Sequence, residues 1–197
     1  MNKRLRHLLL PVAGAAVLLA ACTSEAPWHF TTDYMDVTVD GRGYITGLKN
    51  TTVDNAPELS PADKPSPLLT LYNSTDSTWH YPAEASYSRL SKVMTLKYDD
   101  GMEAEVKIEP CGKYLRMELV DLKAPEGIDA AQWGSVHTNI TNLLGEVIGV
   151  ARDTSDVANY AVGMLALDDN TLGCTADLDA DAAPFEYIIH TPDPVSY

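Results

Sequence analysis

The 197-residue chain has only three cysteines, at positions 22, 111 and 174. No two stand at the close spacing of a zinc finger or ribbon, so no cysteine-based metal site is expected. Basic residues are also scarce. Fourteen Lys and Arg face 28 Asp and Glu, a formal net charge of −14. That balance argues against nucleic-acid binding and against attraction to anionic membrane surfaces. No apolar run reaches the roughly 20 residues that a membrane-spanning helix needs. A Gly-rich phosphate loop and a Gly-x-Ser-x-Gly nucleophile elbow are both missing. Nothing in the residues calls for a cofactor or a resident metal.

The N-terminus has a distinct composition. Lys3, Arg4, Arg6 and His7 form a short basic segment. An apolar run from Leu8 to Leu19 follows, broken by Pro11 and Gly14. A basic segment, a short apolar stretch and small residues before a cut are the parts of an export signal. Leu19-Ala20-Ala21-Cys22 resembles the bacterial lipobox. The resemblance implies a signal peptide over residues 1–21 and an acylated Cys22 as the first mature residue. It places the mature protein in the cell envelope, held to a membrane by its lipid. Thr23 stands where an aspartate would favour inner-membrane retention, so the outer membrane is the expected destination. Residues 22–27 then read as a lipidated polar tether and 28–197 as one domain, a length that supports a core of its own.

The domain reads as all-β. Trp28 to Asp40 looks extended, Asp40-Gly41-Arg42-Gly43 marks a turn, and Tyr44 to Leu48 resumes a strand. Two extended runs around a Gly-bearing turn predict a hairpin. Pro57, Pro61, Pro65 and Pro67 predict a long exposed loop over 50–67. The clearest signal lies in the middle. Met102, Ala104, Val106 and Ile108 alternate with Glu103, Glu105 and Lys107, and Leu115, Met117 and Leu119 alternate again. Period two with one apolar face predicts half-buried strands, and with Val93–Tyr98 they make a three-stranded meander. Residues 146–151 and 160–167 are more continuously apolar and predict strands covered on both faces. Residues 187–190 suggest a last strand, and 139–145 a short helix. Short strands with turns between them imply an antiparallel β-sandwich.

Several segments carry a family likeness. Asp40-Gly41-Arg42-Gly43-Tyr44-Ile45-Thr46, Ser66-Pro67-Leu68-Leu69-Thr70-Leu71-Tyr72, Trp133-Gly134, Gly145-Glu146-Val147-Ile148-Gly149-Val150 and Thr171-Leu172-Gly173 resemble the N-terminal β-sandwich domain of large Bacteroidetes glycan-degrading proteins. In that family the domain is similar to the galactose-mutarotase-like supersandwich and precedes a catalytic module. The resemblance spans about residues 34–174. It departs at Cys174, where a second glycine is expected. It implies an accessory domain without its catalytic module.

Three kinds of site are then open. His137 and Glu146 are the acid–base candidates, since a histidine and a carboxylate can move protons on a sugar as in mutarotases. Trp79, Tyr81 and Asp76 are the carbohydrate-binding candidates: sugar C–H faces lie flat on aromatic rings, and carboxylates take the hydroxyls. Trp133 and Asn139 can add to such a groove, although tryptophans pack cores at least as often. Cys111 and Cys174 can pair in an oxidising envelope. Asp177, Asp179 and Asp181 alternate as in a calcium loop, but Ala182 and Ile188 occupy the positions that need Gly and Glu. Asp168-Asp169-Asn170 reads as a turn. The expected function is a lipid-anchored carbohydrate-binding or architectural domain. The alternatives are a mutarotase- or glycosidase-type enzyme fragment and a purely structural envelope lipoprotein.

Overall fold

A computed structural model describes residues 23–138, 150–152, 161–176 and 185–190. The strands in chain order are β1 (Thr23–Ser24), β2 (Trp28–Thr31), β3 (Met35–Val39), β4 (Tyr44–Asn50), β5 (Ser66–Pro67), β6 (Leu69–Asn73), β7 (Thr78–His80) and β8 (Pro82–Ser88). There follow β9 (Val93–Tyr98), β10 (Glu103–Cys111), β11 (Tyr114–Lys123), β12 (Ile128–Val136), β13 (Val150–Arg152), β14 (Ala161–Gly163), β15 (Thr171–Ala176) and β16 (Phe185–His190). All pairings are antiparallel. No α-helix occurs among the described residues, and the proposed short helix at 139–145 lies outside them.

Two layers enclose one core. The first is a sheet in the order β1-β8-β9-β10-β11. The second combines the sheet β2-β3-β4-β5 with the sheet β15-β16-β12-β6-β7. Its two sheets meet at Leu68, whose N–H donates to Gly43 O and whose carbonyl accepts from Gly134 N. Across the layers, Tyr87 meets Phe30 edge-on at 5.1 Å, and the Tyr98 hydroxyl donates to Leu69 O at 3.0 Å. Gly43 closes the β3–β4 turn at φ +88°, and a Cβ there would sit 2.5 Å from the buried Leu96 side chain. Glycine is needed at this point both for its conformation and for its size.

The meander forms as its alternation requires. Met102, Ala104, Val106 and Ile108 are all buried, and Leu119 lies opposite Val106. A bulge at Glu105/Val106 shifts the register beyond that pair. Val120 and Asp121 therefore both face outward, and Leu122 takes the inward place that strict alternation would give to Asp121.

Two expectations need correction. The loop at 51–65 is not wholly exposed. Leu59 and Ser60 are buried, and Glu58 Oε1 accepts hydrogen bonds from the N–H groups of Leu48, Leu59 and Ser60. A carboxylate that satisfies three backbone donors lets the loop turn inward. The segment 160–167 is not covered on both faces either. Only 161–163 is strand, and Leu165 and Leu167 are 70% and 64% exposed, while Val162, Met164 and Ala166 pack on the core. Residues 162–167 thus form a strap with alternate side chains on the core and in solvent.

Candidate functional site

Trp79 lies on β7, opposite Tyr72 of β6. Their rings pack at 4.6 Å between centroids with a 39° tilt, and Trp79 keeps 38% of its surface exposed. Register fixes which face this pair occupies. Leu69, opposite Trp133, and Tyr72 are three residues apart on an unbulged strand, so they point to opposite sides of the sheet. Trp133 is 6% exposed and belongs to the core, which removes it from any groove shared with Trp79. Its burial follows from the central position of β12, between β6 and β16. On the Trp79 side of the sheet, Thr70 donates to Gln132 Oε1 at 3.3 Å, a buried polar pair.

Asp76 sits in the β6–β7 turn. Its Oδ1 accepts from Thr78 N at 3.0 Å, and its side chain is exposed. One oxygen thus holds the turn in shape next to the Trp79–Tyr72 pair. Tyr81 is the corner residue between β7 and β8, where the chain passes from one layer to the other, and is half exposed. Its electrostatic neighbour is Tyr44, across which Arg42 lies at 4.7 Å from the ring centroid. Burial pushes the Tyr44 hydroxyl pKa up; Arg42 opposes that, and Tyr81 and Asp40 add to it. Among the aromatic candidates, ring packing is thus found for Trp79, with Tyr72.

His137 follows β12 and is half-buried; its backbone N–H donates to the buried Ser66 Oγ at 2.8 Å. Glu146, Asn139 and Cys22 lie outside the described residues, as does the 177–181 acidic run. Asp168 is the turn residue expected of it, with Oδ1 accepting from Asn170 N, Thr171 N and Thr171 Oγ1. Cys111 is a free thiol in this structure, and the side chain of Cys174 lies outside what is described. Cys111 ends β10 in the first layer, and its Sγ lies 3.4 Å from Glu109 O. Cys174 is on β15 of the second layer, at the outer edge of its sheet.

The sequence did not point to a cleft of about 530 Å³ between β11 and the second layer. Its walls include Val37, Ile45, Leu115, Met117 and Trp133, and the strap residues Val162 and Met164 close one side. The half-burial of Leu115 and Met117 is explained by this cleft, which their alternation alone could not reveal. A second cavity of about 330 Å³ adjoins it, sharing Met35, Leu48, Tyr114, Val162 and Gly163. No group of three or more metal-ligating side chains occurs among the described residues.

No family model, curated protein or solved structure matches this chain.

Proposed function

We propose that the protein is an envelope lipoprotein, anchored through Cys22, whose β-sandwich domain captures carbohydrate for a glycan-degrading system without turnover of its own. The observation that carries this reading is the Trp79–Tyr72 pair. It presents a partly exposed indole, backed by a second ring, on the face of the sheet away from the Trp133 side. A backed ring keeps a fixed orientation, and that lowers the ordering cost of binding a flat sugar face. Asp76 stands in the adjoining turn with one oxygen committed to Thr78, leaving the other for a sugar hydroxyl. The family likeness of Ser66 to Tyr72, which includes Tyr72 itself, points the same way.

The test is affinity electrophoresis in gels containing soluble polysaccharides. Wild type is retarded by at least one of them, and Trp79→Ala abolishes the retardation. Loss of the ring pair costs about 1 kcal/mol, a Tm decrease of about 2–4 °C. Retardation that survives Trp79→Ala, or none with wild type across a broad panel, overturns the reading. Release of reducing sugar by wild type, lost in Glu146→Gln, overturns the non-catalytic assignment.

A further inference from the structure

The geometry points to a second binding site, independent of Trp79: we propose that the cleft beside β11 holds a lysophospholipid, with its acyl chain in the bore and its phosphate in the adjoining cavity. The bore is the right kind of space. Its volume, about 530 Å³, lies in the range of small-molecule pockets. It is walled mainly by aliphatic side chains from both layers and by Trp133, with Arg116, Glu118, Asp168 and Thr171 also on its lining, and most of its wall suits an apolar chain. Its length also fits. From Tyr114 to Leu119, β11 runs about 17 Å along one wall. One acyl chain crosses half of a hydrocarbon core that is about 30 Å thick, hence about 15 Å.

Positive charge is found beside the Tyr114 end of the bore, and that orients the ligand. Along β11, Arg116 is already held by Glu118 at 2.9 Å and Glu109 at 3.6 Å, so its charge does not compete for the phosphate. At the Tyr114 end the bore shares Met35, Leu48 and Tyr114 with the 330 Å³ cavity, whose lining includes Lys49, Lys113, Asn50 and Thr52. Lys113 sits in the tight β10–β11 turn beside Gly112 and takes part in none of the ion pairs among the described residues. Lys49 reaches Glu58 at 3.8 Å and lies opposite Asp36 across the strands, so its charge is partly compensated and Lys113 is the freer of the two. Two ammonium groups with hydroxyl and amide partners suit a phosphate and a neighbouring glycerol hydroxyl. The cavity is larger than a bare carboxylate requires.

The experiment uses the full chain carrying Cys22→Ser, which has no acyl group of its own. Calorimetric titrations below the micelle-forming concentration compare 1-palmitoyl lysophosphatidylglycerol, palmitate and monopalmitoylglycerol. The lysophospholipid binds about tenfold or more tightly than the neutral monoacylglycerol, as a charge-assisted phosphate contact requires. Lys113→Glu removes that advantage and leaves monopalmitoylglycerol binding unchanged. Met117→Trp, which fills the bore, abolishes binding of both. Should that variant fail to fold, the exposed Lys113→Glu decides alone. No binding of any amphiphile, equal affinity for charged and neutral heads, or palmitate binding as tightly as the lysophospholipid overturns the proposal.

Discussion

Tyr98 ties the two layers together through one hydroxyl, and Tyr98→Phe isolates what that tie contributes. The ring is 5% exposed, and its oxygen donates to Leu69 O at 3.0 Å. The substitution keeps the ring and leaves no large cavity, so the loss is confined to the hydrogen bond and the polar groups around it. At pH 7 the variant should be less stable by about 1–2 kcal/mol. The same burial, with Tyr44 adding to it, raises the hydroxyl pKa far above its ordinary value of 10. In the unfolded chain this tyrosine ionises near pH 10, whereas in the folded one it keeps its proton. Above pH 10 the folded state therefore binds more protons, and wild-type stability falls by about 1.4 kcal/mol per pH unit from this group. Phenylalanine has no such slope. The two stabilities should converge near pH 11, where the wild-type loss of about 1.4 kcal/mol equals the cost of the missing bond. Urea unfolding of both proteins at intervals between pH 7 and 11.5 measures the difference directly. A gap that stays constant across that range would refute the burial argument, because Tyr98 would then be ionising equally in both states.

Two further outcomes test the fold and the anchor. Val106→Ala or Leu119→Ala should each cost about 2–4 kcal/mol in denaturant unfolding, since both are buried and face each other; Glu105→Ala on the outer face should cost under about 1 kcal/mol, and equal losses would show that the register is wrong. Cys22→Ser should release the protein from the membrane fraction and remove acyl mass from it; unchanged detergent partitioning and mass would end the lipoprotein assignment.

The meander was legible because Met102 to Ile108 combine strict alternation with sharp chemical contrast. The strand β12 was not. Ala130, Ala131, Gln132 and Trp133 are all buried, so the segment has no polar face to mark its period. Gln132 reads as a surface residue until Thr70, 62 positions away, is seen to meet it. The bulge at Val120 is equally silent in sequence, because Val-Asp-Leu is compatible with either phase. Trp79 was picked out by its type, but its backing ring, Tyr72, depends on strand pairing. The cleft depends on where β11 stands relative to the other layer, a long-range relation that no local pattern encodes.

Thr23 and Ser24 are paired with Ser88 and Tyr87 at the far edge of the first sheet. On the proposed anchoring, that pairing decides how the protein bears mechanical load. The sheet would then begin one residue from the lipid. A pull between membrane and bound ligand falls first on a two-residue edge strand, which unzips one pair at a time. Peeling it frees the stretch up to Trp28, whose buried indole in contact distance of Tyr87 is the first firm stop. On that anchoring the edge strand would act as a fuse, yielding before the core is strained and lengthening the linkage by a few residues. The cleft lies at the opposite edge, four strand spacings or about 19 Å away, so this give at the anchor leaves it undisturbed.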